Sequence, residues 1–398
     1  MVSMTPPEDT TLQTLLARER RRQDQVINLI ASENYTSEAV RSVLASELIN
    51  KYSEGYPGAR YYGGNEVADA VEELCQQRAR ELFGLDEAEW SVNVQPLSGA
   101  PANMAVYSAV LGFRDYKKIM GLQLDHGGHL SHGFSASATG KIWQQVPFAV
   151  DATAEVLDYD ELADLARQQQ PDIIVAGFTA YPRSVDFARF RGIADSCGAH
   201  LHADIAHIGG LIAGEQHPSP FPHADTVMAT THKTLRGPRS AIIWSRRDER
   251  QLPKAIDRAV FPGLQGGPHM NQIAAVAAAL YEAQQPDFRD YIAQVVRNAQ
   301  VLAEELAERG WCIISGGTDT HLLLVDTWAG GDGIGGKEAS ERLEAKGIIV
   351  NKNTVPGDRR TAADPSGIRL GTPAETTRGK TEQDMRSIAE RIDAILSV

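Results

Sequence analysis

The sequence predicts an α/β fold, a largely parallel sheet covered on both faces by helices, followed by a smaller C-terminal α+β unit. Two observations carry that expectation. From about Leu82 onward, short and nearly continuous apolar runs alternate with segments of helical periodicity. Strands buried on both faces read as unbroken apolar runs, and parallel neighbours need a crossover, so the alternation favours a parallel sheet between helical layers. The length of 398 residues also exceeds what one hydrophobic core organises. The expected division is residues 1–83 as an N-terminal arm with a Tyr/Gly-rich segment, 84–285 as a large domain and 286–398 as a small one.

Taken in order, residues from about Thr11 to Ile30 have helical periodicity with a basic middle, "RERRR", which reads as a solvated face. "NKYSEGYPGARYYGGNE" is too rich in turn formers for a regular element. The strand candidates are "WSVNVQP", "KKIMGLQLD", "DIIVAGF", "AHLHADIA", "DTVMATT" and "SAIIWS". Between them lie the helical patterns "APANMAVYSAVLG", "YDELADLARQQ" and "DFARFRGIADSCG". A long helical region broken near Pro286 is the expected hinge into the C-terminal unit, with strands "HLLLVDT", "GIIVNKN" and "GIRLGTP" and a closing helix "TEQDMRSIAERIDAIL".

A formal net charge of −13 argues against nucleic acid or an anionic membrane as partner. Three widely spaced cysteines without a C-x-x-C pair read as reduced thiols of a cytoplasmic protein. The N-terminal stretch has no uninterrupted apolar run of the secretion-signal kind, and no window has the roughly 20 apolar residues of a spanning helix.

In open α/β sheets ligands collect at the carboxyl ends of strands. Asp204 ends one apolar run, Lys233 follows another, and Thr179 follows "DIIVAGF". Taken alone, Lys233 is a covalent cofactor anchor, a phosphate clamp or a solvated loop residue. Ser98 and Gly99 precede a helical pattern, where N–H groups and a hydroxyl suit a phosphate or simply cap the helix. "DHGGHLSHG" (His126, His129, His132) and "HADIAH" (His202, Asp204, His207) have metal-ligand composition but not the spacing of zinc sites, so no metal is expected. His129 could equally stack on a flat ring. A pyridoxal phosphate enzyme needs a lysine to hold the aldehyde as a Schiff base, a carboxylate to keep the pyridine nitrogen protonated, and a phosphate cup. Lys233, Asp204 and the Ser98 turn supply that set.

The motifs "LIASENYTS", "NKYSEGYPGARYYGGNE", "GGHLSHG", "AYPRSVDFARFRGIAD", "DIAHIGGLIAG", "TTHKTLRGPR", "FPGLQGGPHM", "VNKNTVPGD" and "GIRLGTPAETTRG" occur in order from about residue 29 to 379. In this the chain resembles the serine hydroxymethyltransferase family of fold-type I pyridoxal phosphate enzymes. The resemblance implies an aspartate aminotransferase-like fold with a mostly parallel seven-stranded sheet. It implies interconversion of serine and glycine by Cα–Cβ cleavage, with tetrahydrofolate taking up the one-carbon unit. Carried over by position, Lys233 resembles the Schiff-base lysine, Asp204 the pyridinium partner and His129 the stacking imidazole. Ser98, Gly99 and Ala100 match the phosphate cup. Thr179 and His207 match residues near the phenolic oxygen, and Thr230 and His232 flank the lysine. Arg369, assisted by Ser32 and His207, resembles the group that takes the substrate carboxylate, and the guanidinium fork suits that task. Glu54 matches the proton shuttle. Glu54, Tyr61, Tyr62, Leu124, Leu130 and Asn353 match folate contacts. Tyr52, Glu54, Tyr61 and Tyr62 match residues that reach the partner subunit's site, and Gly266 and Gly267 a loop at the partner's cofactor phosphate, so the resemblance implies a homodimer or a dimer of dimers.

The chain also departs from the family pattern. Where the family usually has "HSGSQAN", "LSGAPAN" places Ala100 and Pro101. Ser240 and Ala241 replace a Gly-Gly pair, "VMATTHK" replaces a run of threonines, and Asp125 adds a carboxylate beside Leu124. These departures leave three alternatives open: a hydroxymethyltransferase for a Cα-methyl amino acid, a folate-independent threonine-type aldolase or transaldolase, and a non-catalytic cofactor-binding scaffold.

Overall fold

The computed structural model describes residues 9–248 and 251–397. Its main sheet has seven strands in the spatial order Trp90–Asn93, Ala241–Arg246, Thr226–Thr230, His200–Asp204, Ile173–Gly177, Lys118–Leu122 and Gln144–Phe148. Only Ala241–Arg246 runs against its two neighbours; the remaining adjacent pairs are parallel. Every residue of Ile173–Gly177, His200–Asp204 and Thr226–Thr230 is buried, as two-sided helical cover requires.

Six of these strands coincide with the apolar runs of the sequence; Gln144–Phe148 does not. It is an edge strand that pairs with one neighbour and leaves Gln144 and Pro147 exposed, so it lacks the apolar run. An edge is also where the missing N–H of Pro147 does no harm.

The first helix, Thr10–Gln25, stops short of the predicted Ile30. Ile27–Asn28 instead pairs in parallel with Ile348–Ile349, and Leu29 is fully buried in the second core. A solvated helix that buries none of its residues gains little by continuing, whereas burying Leu29 is favourable by about 1.5–3 kcal/mol. The Tyr/Gly-rich stretch holds one regular feature, the short hairpin Gly55–Tyr56 with Ala59–Arg60.

Pro286 separates helices Met270–Ala283 and Pro286–Glu308, standing at the first position of the second, where a missing N–H costs nothing. That second helix joins two cores. Phe288, Ile292 and Val296 pack with the main sheet, while Leu302, Ala303 and Leu306 pack with the C-terminal elements. The C-terminal sheet is antiparallel, in the order Cys312–Ile313, Leu322–Asp326, Gly367–Gly371, Asn351–Asn353. The predicted strand "GIIVNKN" is split at Val350, each half pairing with a different partner. Among the described residues, no helix is long and apolar enough to cross a membrane.

Candidate active site

The sheet order brings chemistry to one edge. Ile173–Gly177, His200–Asp204 and Thr226–Thr230 are parallel neighbours, so Thr179, Asp204 and Lys233 follow carboxyl ends on the same side. Trp90–Asn93 has the same sense as these strands, being antiparallel to an antiparallel strand, so the Ser98 turn opens on that side too. Lys118–Leu122 adds the loop that carries Leu124, His129 and Leu130. Ser32, Ser98, Gly99, Ala100, Leu124, His129, Leu130, Thr179, His207, Thr230, His232, Lys233 and Arg369 line one cavity of about 500 Å³.

Asp204, only 7% exposed, is outside that lining but close enough for its charge to favour the protonated forms of Lys233 and His129. Its carboxylate is fully engaged. Oδ2 accepts from Asn103 Nδ2 at 2.8 Å and lies 2.9 Å from His132 Nε2, while Oδ1 accepts from the Ala206 N–H at 3.1 Å. Burial opposes the charge, but the hydrogen bonds and imidazoles outweigh it and hold the carboxyl below the usual carboxylate range. Behind it the network continues. Asn103 Oδ1 is 3.0 Å from His202 Nε2, which places the His202 proton on Nε2 and leaves Nδ1 to accept from Thr226 Oγ1 at 2.8 Å. Burial pushes His202 down to about 3, which keeps it neutral. Sequence reasoning missed Asn103 and left His132 without a role.

Burial lowers Lys233 to about 8, helped by the nearby Arg369 and Arg239 charges and opposed by Asp204. Burial also pushes His129 down to about 4 and His232 to about 3. Both imidazoles are therefore neutral near pH 7. His129 Nδ1 is fixed at 2.7 Å from Ser131 Oγ. His207 lies against His321, with 3.3 Å between ring nitrogens, and Thr230 Oγ1 donates to the Ala206 carbonyl.

Arg369 is buried, and burial lowers it to about 10, yet it stands in no ion pair among the described residues. Its Nε donates to Asn351 Oδ1 at 3.0 Å and one Nη to the Thr179 carbonyl at 2.6 Å, which aims the guanidinium and leaves donors free. Asn351 is a second residue that sequence reasoning missed. The Thr179 hydroxyl is committed to the Gly128 carbonyl at 2.7 Å. Asn353 lies two residues from Asn351 on the same strand and does not line the cavity.

The other predicted residues gather elsewhere. Tyr52 and Tyr62 meet edge to face with centroids 5.1 Å apart, and Tyr52 OH donates to Glu54 Oε1 at 3.3 Å. A Cβ on Gly266 would stand 3.1 Å from Glu54 Oε1, and one on Gly267 3.2 Å from Tyr52 Cζ, so that loop lies directly on the pair. Tyr61 packs on Phe261. None of these residues lines the Lys233 cavity.

A family model described as serine hydroxymethyltransferase matches residues 6–392. The chain belongs to the serine hydroxymethyltransferase family. It is 50% identical over 412 residues to a putative mitochondrial serine hydroxymethyltransferase of Neurospora crassa, covering 98% of this chain and 74% of the relative. It is 48% identical over 407 residues to the mitochondrial serine hydroxymethyltransferase of Saccharomyces cerevisiae, covering 98% and 82%. It is 52% identical over 387 residues to the serine hydroxymethyltransferase of Acidothermus cellulolyticus, covering 97% and 88%.

The family's cofactor, pyridoxal phosphate, fits the residues present. A buried lysine with a lowered pKa stands near a carboxylate held ionised. The Ser98 side chain makes no capping hydrogen bond at the helix Gly99–Leu111, so its hydroxyl and the first-turn N–H groups of Gly99 and Ala100 are available to a phosphate. Pro101 lies within that first turn and is tolerated there. Ser240, the departure after "RGPR", is buried with its hydroxyl donating to the Pro96 carbonyl at 3.0 Å.

Proposed function

We propose that this chain interconverts serine and glycine, with pyridoxal phosphate held at Lys233 and tetrahydrofolate as the one-carbon acceptor. One observation carries the reading. A buried amine of lowered pKa, a fully hydrogen-bonded carboxylate and an arginine without a carboxylate partner converge on one edge of the sheet. When bound, pyridoxal phosphate supplies an aldehyde for the amine and a ring that accepts the electrons of the broken Cα–Cβ bond.

Each residue then has a task. Lys233, near 8, is partly the neutral nucleophile at physiological pH. Asp204 holds a proton at the ring nitrogen, and His132 and Asn103 hold Asp204. Ser98 Oγ with the N–H groups of Gly99 and Ala100 holds the phosphate. Neutral His129, on the cavity lining, would offer its flat imidazole to the ring. Arg369 grips the substrate carboxylate, with Ser32 and His207 beside it. Leu124 and Leu130 offer apolar surface to folate. Glu54 takes the proton from the substrate hydroxyl as the bond breaks.

Glu54, Tyr52, Tyr61, Tyr62, Gly266 and Gly267 lie off the Lys233 cavity of their own chain, which supports a homodimer in which they complete the partner's site. The division at residues 83 and 285 is part of the proposal; the two cores that share the helix Pro286–Glu308 support the boundary near 285, while Ala68, Cys75 and Ala79 pack into the main core across the one at 83. So is a cytoplasmic setting, supported by three unpaired cysteines.

Purified holoenzyme given serine and tetrahydrofolate should release glycine at a rate that collapses without folate. Faster folate-independent cleavage of threonine, or faster turnover of α-methylserine, would overturn the substrate assignment.

A further inference from the structure

Glu54 directly precedes the hairpin strand Gly55–Tyr56, on a segment whose backbone is held with unusual completeness. Three consecutive carbonyls are occupied. The Glu54 carbonyl accepts from the Tyr61 N–H at 3.0 Å. Those on either side, of Ser53 and Gly55, both accept from the same nitrogen, Arg60 Nη1, at 2.9 and 2.7 Å. The rest of that guanidinium is anchored to the helix Glu66–Glu81: Nε donates to Asp69 Oδ1 at 2.8 Å and Nη2 to Glu72 Oε2 at 2.6 Å. Gln95 Nε2 ties the frame together, donating to Glu72 Oε1 at 2.8 Å and to the Gly55 carbonyl at 3.0 Å. Gly55 itself has φ +97°, and a Cβ there would stand 2.3 Å from the Ala59 carbonyl oxygen, so the turn admits no other residue.

This frame is costly. The Arg60 and Glu72 side chains are 3% and 0% exposed, and burial of charges is seldom repaid beyond what well-packed apolar residues would give. What an apolar replacement cannot do is fix directions. The planar guanidinium sets four hydrogen bonds at once, two to the carbonyls that bracket Glu54 and two to a rigid helix. No other hydrogen bond to the Glu54 side chain than the long one from Tyr52 OH occurs among the described residues, so the held backbone sets the point from which the carboxylate reaches out.

We infer that Arg60, braced by Asp69 and Glu72, is a positioning residue for Glu54: it aims the carboxylate that handles the substrate proton without touching substrate itself. The inference rests on the reading of Glu54 as that proton-handling group. Lysine at position 60 keeps the charge but not the fork, and cannot hold both carbonyls and both carboxylates.

The test is serine cleavage by full-length holoenzyme. Arg60→Lys should lower kcat by about 10- to 100-fold, the scale of a misplaced reacting group, with KM for serine and the lysine-bound cofactor absorbance unchanged. Glu72→Gln, which keeps volume and hydrogen bonding but removes the bracing charge, should give the same pattern more weakly. In a Glu54→Gln background, Arg60→Lys should add almost nothing. Wild-type kcat in Arg60→Lys beside a deficient Glu54→Gln overturns the inference alone. Wild-type kcat in Glu54→Gln sinks the reading of Glu54 and the inference with it. Losses that track only the fraction of folded holoenzyme in both variants, or that multiply fully with Glu54→Gln, make the frame merely structural and overturn it too.

Discussion

His132 Nε2 lies 2.9 Å from Asp204 Oδ2 with both side chains buried, and Asn103 donates to the same oxygen from the other side. The Asp204 carboxylate is thereby held by a loop and a helix that come from different parts of the chain. Its orientation is a property of three elements, not of the strand that carries it.

Asn103→Ala removes one of those donors and also orphans His202 Nε2. A hydrogen bond to a buried charge contributes about 1.5–3 kcal/mol, so the variant should lose that much stability in denaturant titration. It should also show a shifted absorbance of bound cofactor, because Asp204 is freed to turn. Unchanged stability and spectrum would mean that Asn103 is packing only.

Arg369 should matter for substrate and little for cofactor. Truncating one partner of a buried, hydrogen-bonded charge pair costs about 2–5 kcal/mol, so Arg369→Ala should lower kcat/KM for serine by roughly 30-fold or more while cofactor affinity holds. Arg369→Lys should recover little, because a point charge cannot reproduce the fork. Asn351→Ala should give a smaller defect of the same kind, since Asn351 aims Nε. Equal losses in serine and cofactor affinity would assign Arg369 to the fold instead.

What the sequence made legible follows from how local each signal was. Lys233 and Asp204 stood out because pyridoxal phosphate chemistry asks for those residue types at strand ends and the apolar runs mark the strands, whereas Arg369, in the middle of Gly367–Gly371, was singled out only by the family resemblance. Asn103 and His132 were not, because their partner is 101 and 72 residues away and only the folded sheet joins them. Asn103 did leave a trace, as an amide on a helix face with Ala102 and Val106, where a buried polar group requires a partner. Gln144–Phe148 was invisible because an edge strand needs no apolar run. The end of the first helix was misplaced because the burial of Leu29 depends on elements more than 300 residues later.

Ala100 gives a gain-of-function test. It is exposed in the first turn beside Ser98, so a serine there can offer the hydroxyl that the family pattern has and this chain lacks. One neutral hydrogen bond is worth about 1 kcal/mol, so Ala100→Ser should tighten pyridoxal phosphate binding by roughly 5-fold with little change in kcat. Weaker binding would show that the phosphate is held away from position 100.

Lys233 supplies the pH signature. Burial lowers it from the ordinary 10.5 to about 8, so the apoenzyme carries a free amine at far lower pH than a solvated lysine does. At pH 7 roughly a tenth is neutral, roughly 300-fold more than an unshifted lysine would offer. Only the neutral amine attacks an aldehyde, so the rate of cofactor capture should rise about tenfold per pH unit on approaching pH 8 and level off above it. The sign is fixed by the charge, since raising pH removes the proton that blocks attack. Asp204 favours the protonated amine, so Asp204→Asn should move the midpoint to lower pH, and Lys233→Ala should yield no product fixed by borohydride. A capture rate still climbing above pH 9.5 would show that the amine is solvated before the cofactor arrives, and the buried anchor would have to be abandoned.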